Sequence, residues 1–222
     1  MISGRGGGKL IRGLKDPVSG FSHLLGAVIS IVGLVVLLRV GIANHNVWQI
    51  VGFSVFGGSL ILLYSASATY HLLDVPARAE VVLRKLDHIM IFVLIAGTYT
   101  PICLGPLRGA TGYVLLVTVW VLALAGVFFK VFYLNAPRWL YTGVYLLMGW
   151  LAVFVAVPLV RAVGLLRTSW LFIGGLFYSV GAVIYGMKKP NPIPGWFGFH
   201  EIFHIFIILG SLSHFYFIYL IS

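Results

Sequence analysis

The chain has 222 residues, of which 60% are hydrophobic and only 9% charged. A soluble domain carries about 25% charged residues, so this composition excludes an ordinary water-soluble globule and specifies an integral membrane protein. The net charge of +10 is no nucleic-acid signature, because the basic residues stand in short segments between apolar runs and form no patch or arm; they fit orientation signals and contacts to anionic headgroups. The single cysteine, Cys103, excludes an internal disulfide and a thiolate metal cluster and reads as a small buried apolar residue.

Residues 1–19 form a Gly-rich basic segment with Arg5, Lys9, Arg12 and Lys15, expected to be a cytoplasmic tail. No signal-peptide cleavage pattern follows, since the first apolar run continues to about Leu38. From residue 20 to 222 the sequence reads as one all-α domain of seven apolar stretches: roughly 20–42, 48–71, 87–105, 110–132, 138–160, 168–187 and 200–221. Each approaches the twenty or so residues that cross a bilayer as a helix. The breaks carry turn residues, as in Ala43-Asn44-His45-Asn46, Gly105-Pro106-Leu107-Arg108, Asn135-Ala136-Pro137 and Pro190-Asn191-Pro192. Pro101 and Pro158 inside stretches predict kinks, and Gly57-Gly58 and Gly174-Gly175 predict close helix contacts.

Lys and Arg set the orientation. With the N-terminus inside, the inner segments hold Arg5, Lys9, Arg12, Lys15, Arg78, Arg84, Lys85, Lys130, Arg138, Lys188 and Lys189, and the outer ends hold only Arg39, Arg108, Arg161 and Arg167. This asymmetry predicts a seven-span bundle with a cytoplasmic N-terminus and the C-terminus outside. The same topology gathers all five acidic residues (Asp16, Asp74, Glu80, Asp87, Glu201) and five of the seven histidines (His23, His71, His88, His200, His204) toward the inner face. Ionisable groups are costly within a bilayer, and their collection at one depth from several helices is the pattern of a site.

The chemistry concentrates on the last stretch, which opens His200-Glu201-Ile202-Phe203-His204. Two histidines four apart on a helix share a face and can grip one metal ion. The second stretch ends Ser65-Ala66-Ser67-Ala68-Thr69-Tyr70-His71, with Ser67 and His71 on one face, and the third begins near Leu86-Asp87-His88 on the same side. Three imidazoles, His71, His200 and His204, suit tetrahedral zinc with a fourth position open to water. Asp87 is then placed to orient or deprotonate that water, and Ser67 to hold it or a substrate carbonyl. Taken singly, His71 reads as an interfacial histidine, Ser67 as a helix-packing serine and Asp87 as a cap or a partner of Arg84 or Lys85; the combination favours the site. His23 and His88 stand between packing and support of the site, and His214 is expected to hydrogen-bond a neighbouring helix.

At these residues the chain resembles a known superfamily: hemolysin III proteins, progestin and adipoQ receptors (adiponectin receptors among them) and alkaline ceramidases. Ser-x3-His on the second helix, Asp at the start of the third and His-x3-His opening the seventh are the shared pattern. The similarity runs along the final helix through Ser213-His214-Phe215-Tyr216 and covers all seven spans, and the near absence of extramembrane domains looks most like the bacterial hemolysin III branch. The resemblance implies zinc held by His71, His200 and His204, with Ser67 and Asp87 supporting it, hydrolysis of a lipid amide, and residence in the plasma membrane, the inner membrane of a bacterium. His200-Glu201-x-x-His204 also matches the zincin protease motif, in which the glutamate is the general base. The metzincin extension fails, because Ile207 and Gly210 stand where Gly and His are needed. His214 lies ten residues beyond His204, about 15 Å along a helix, too far to close the same site.

Four functions compete. The first is a zinc-dependent hydrolase of a membrane lipid amide or ester, with a basic inner rim suited to an anionic headgroup. The second is a membrane sensor or homeostasis protein in which zinc staples helices. The others are a pore-forming hemolysin, disfavoured because seven spans have no soluble stage, and an intramembrane protease. The expected partners are the bilayer and a lipid substrate, with no nucleic acid; the sequence leaves the lipid and the oligomeric state open.

Overall fold

A computed structural model describes residues 14–133 and 137–222. The helices are α1 (Pro17–Ala43), α2 (Val47–Leu72), α3 (Ala77–Leu104), α4 (Ala110–Phe132), α5 (Arg138–Gly149), α6 (Ala156–Val163), α7 (Leu165–Met187) and α8 (Phe199–Leu220), with a 3-10 segment, Trp150–Val155, between α5 and α6. Among the described residues the remaining regular contacts are two isolated bridges, Leu14 with Leu73 and Ile193 with Phe197. The chain is an all-helical, multi-pass membrane protein. Among the described residues, six helical stretches are long and apolar enough to cross a bilayer: Pro17–Ala43, Val47–Leu72, Ala110–Phe132, Trp139–Val163, Leu165–Met187 and Phe199–Leu220.

The seventh expected stretch, 87–105, belongs to α3, which begins ten residues earlier than hydropathy indicates. Its first turns carry Arg78, Glu80, Arg84 and Lys85, residues that favour helix as readily as apolar ones but end a hydropathy window. Asp87 therefore lies inside α3 and does not cap it. The first helix likewise starts early, at Pro17, whose missing N–H suits the first helical position. Lys15 and Asp16 are tied down just before it. The Asp16 amide donates to the His71 carbonyl at 2.8 Å, and the Lys15 ammonium meets Glu80 at 2.6 Å. The expected tail over residues 1–13, and Asn135 and Ala136 of one expected break, lie outside the described residues.

Sequence neighbours pack as antiparallel pairs, α1 on α2, α2 on α3 and α3 on α4, while α7 packs on α8 and α8 returns to α1. The core runs through Leu37, Phe53, Phe56, Phe92, Ile102, Val119 and Phe217. Its outer surface is apolar, with Phe154 83% and Leu166 80% exposed, as lipid contact requires. One member of each glycine pair makes a close approach. A Cβ on Gly57 would stand 2.6 Å from Leu34, and one on Gly174 would strike His214, whereas Gly58 and Gly175 have room.

The fifth stretch is broken. Pro158 lacks an N–H and its ring crowds the carbonyl of Phe154, four residues back; the chain tightens to 3-10 geometry over Trp150–Val155. The Tyr99 hydroxyl, brought in from α3, fills the gap. It accepts from the Ala152 amide at 2.8 Å and donates to the Gly149 carbonyl at 2.6 Å, with the Met148 carbonyl at 3.1 Å. A broken helix at membrane depth needs such a substitute partner.

Candidate metal centre

Three helices deliver the site. His71 lies in the last turn of α2, and His200 and His204 open α8. The short approach to α8 is fixed by two side chains: Asn191 accepts from the Phe199 amide at 3.1 Å, and Glu201 accepts from the Gly198 amide at 2.8 Å. These satisfy donors that a helix start leaves open. α1 contributes Asp16 and Ser19 alongside.

The three imidazoles form a near-equilateral triangle. Their ring centres are 4.9 Å (His71–His200), 4.9 Å (His71–His204) and 4.7 Å (His200–His204) apart, and one ligand atom from each lies within 4.8 Å of the others. The Nε2 atoms of His71 and His200 are 3.3 Å apart. Two donors at ordinary bond length from a tetrahedral zinc stand about 3.3–3.4 Å apart, so this edge suits one ion.

Tautomers are set from behind. His71 Nδ1–H donates to Asp16 Oδ2 at 3.2 Å, and His204 Nδ1–H donates to the Ser19 carbonyl at 3.3 Å. In both rings Nε2 is left with its lone pair for a cation, the carboxylate–histidine and carbonyl–histidine arrangement of metal sites. The His71 hydrogen bond outweighs burial and holds the Asp16 carboxyl below its ordinary value of 3.8. The chemistry of the donor set therefore fits a borderline-soft divalent ion such as zinc.

All five residues singled out in the sequence, Ser67, His71, Asp87, His200 and His204, line one cavity of about 510 Å³. Ser67 is buried one turn from His71 and lines the cavity beside Asp87. The cavity continues toward mid-membrane past Leu63, Ile91, Leu94, Ile95 and Ile102 to Tyr99 and Trp150. Ionised chemistry at one end and an apolar channel at the other match an amphiphile.

Other histidines take lesser places. His23 stacks on His204 with ring centres 3.8 Å apart and meets Tyr64 edge-on; neither of its nitrogens has a hydrogen-bond partner among the described residues. His88 lines the cavity, and its carbonyl accepts from the Tyr145 hydroxyl at 3.1 Å. His214 donates from Nε2 to the Leu171 carbonyl at 3.0 Å, tying α8 to α7. Glu201, the glutamate of the zincin motif, is engaged at the start of α8. Besides the Gly198 amide its carboxylate accepts from the Ser19 hydroxyl at 3.1 Å, so its oxygens serve the helix start, which weakens the zincin reading.

Sequence reasoning missed Asp16 and Ser19. Asp16 is an acidic residue gathered at the inner face, directly before a proline-led helix, and that was its one visible signal. A backbone carbonyl such as that of Ser19 leaves no signal at all.

The family model described as Haemolysin-III related matches residues 12–215. The chain is 41% identical to a Hemolysin-3 homolog of Bacillus subtilis (strain 168) over 202 residues, covering 91% of this chain and 92% of that protein. It is 36% identical to Hemolysin-3 of Bacillus cereus, covering 91% and 89%. An Adiponectin receptor protein of Drosophila melanogaster is 27% identical over 214 residues, 88% of this chain and 48% of that receptor. The match covers most of the described helices, and the chain belongs to the haemolysin-III related family.

Proposed function

We propose that the protein is a zinc-dependent hydrolase of a membrane lipid, acting on an amide or ester at the inner headgroup plane of a plasma membrane. The observation that carries this reading is the imidazole triangle opening onto a cavity that also holds Asp87 and Ser67. His71, His200 and His204 would hold the ion. Zinc bound there supplies Lewis acidity toward a carbonyl and brings water to a pKa of about 7. Asp87 accepts the proton from the attacking water and passes it to the leaving group. Ser67, lining the same cavity, holds the attacking water or the substrate carbonyl. The apolar arm of the cavity seats the lipid chain and excludes bulk water. Asp16 and Ser19 keep two of the imidazoles in register throughout.

The topology belongs to the same proposal. α3 joins α2 and α4 through short connections and packs against both, which supports its crossing as a seventh span. The Lys and Arg bias supports a cytoplasmic N-terminus. A structural staple, with the ion joining α2 to α8 and no turnover, is the competing function.

Metal analysis of the purified full chain beside turnover of a lipid extract decides between them. The expected result is about one zinc per chain in wild type and in Asp87→Asn, with turnover in wild type alone; His71→Ala should lose both. Zinc bound by wild type with no lipid consumed would leave the staple.

A further inference from the structure

The cavity beside the imidazoles carries a charge that the hydrolytic scheme leaves unused. Lys130, in the last turn of α4, is 2% exposed and lines the cavity with half-buried Arg84 and with Asp87. Its ammonium sits 3.6 Å from the centre of the Tyr141 ring. Both salt bridges among the described residues, Lys15 with Glu80 and His71 with Asp16, leave it out. An ammonium withdrawn from water and resting on an aromatic face is only partly compensated. Asp87 acts on it electrostatically from beyond ion-pair distance, while Arg84 adds a second positive charge. This end of the cavity thus holds two cations against one carboxylate.

We propose that Lys130 and Arg84 bind the phosphate of an anionic phospholipid headgroup, and that this site selects anionic over neutral lipids. A planar guanidinium beside a compact ammonium suits a group with several charged oxygens. The apolar wall through Leu94, Ile95 and Ile102 is continuous with the two cations, so the occupant has a hydrocarbon chain as well as a charge; a free anion would leave that arm unfilled. Tyr141 holds the ammonium toward the cavity, and its own hydroxyl is engaged by the Tyr133 carbonyl. That the bound lipid is also the substrate rests on the hydrolase reading; the binding site itself does not.

The test is equilibrium binding to the full chain in detergent, with zinc and after chelation, so that turnover plays no part. The probes are 1-oleoyl-lysophosphatidate, monooleoylglycerol, which shares the chain but lacks the phosphate, and inorganic phosphate as competitor. Wild type should favour the lysophosphatidate, and Lys130→Met should weaken it at least about tenfold while monooleoylglycerol is unchanged. Lys130→Arg should keep most of the preference. If Lys130→Met does not fold, Arg84→Gln and a salt titration of wild type serve instead: affinity for lysophosphatidate alone should fall. Equal losses for both lipids, no change in either, or displacement by inorganic phosphate as effective as by the lysolipid would each overturn the proposal. Charge-selective binding without hydrolysis would sink the enzyme reading and leave this site standing.

Discussion

His71, His200 and His204 have no strength as single residues; what sets two of them, His71 and His204, is the hydrogen bond the ring makes on its far side. Asp16 fixes the His71 ring through Nδ1, so Asp16→Asn should keep the fold and weaken zinc binding about 10- to 100-fold, as measured by competition with a chromogenic chelator. The sign with pH follows from its lowered pKa. The carboxylate interaction is fully present above 3.8 and is lost only as pH falls through the depressed value. The imidazole set, Ser67 and Asp87 were legible in the sequence because charged and ring-nitrogen groups are expensive beside apolar runs and recurred at helical spacing. Asp16 was obscured because it precedes the apolar run and reads as the residue ahead of a proline-led helix. Lys130 was visible only as an orientation charge. Its burial depends on Tyr141, a residue of another helix, and no local pattern announces that.

Among the elements, the composite span Trp139–Val163 departs furthest from an ideal helix. The sequence placed a proline there and predicted a kink; the 3-10 geometry and its repair by Tyr99 were not legible, because a tyrosine inside an apolar stretch looks like any other core aromatic. Removing that hydroxyl should strand the Ala152 amide and the Gly149 carbonyl. Tyr99→Phe is expected to cost about 1–3 kcal/mol, read as a lower melting temperature of the detergent-solubilised protein, with zinc content unchanged. The start of α3 shows the opposite limitation. Hydropathy marks where a chain becomes greasy and takes no account of where its hydrogen bonding begins, so Arg78 to Lys85 were invisible as helix.

At the scale of the whole molecule, the bundle brings distant ends of the sequence to one membrane face, as the separation of 129 positions between His71 and His200 illustrates. The proposed topology can be read directly. Cys103 is fully buried, so an impermeant maleimide applied to intact spheroplasts should label Arg108→Cys and spare both the wild type and Arg78→Cys; the reverse pattern would invert the protein. The distribution of Lys and Arg carries that orientation in the sequence, whereas the closing contact of α8 on α1 depends on packing that no single stretch records. The docking of Lys15 and Asp16 against α2 has a practical corollary. A gene trimmed to the start of the first expected apolar stretch, at position 20, would yield a protein that still inserts and assembles. It would arrive with two of its imidazoles free to swivel, looking intact by every measure of shape and failing to retain the proposed ion.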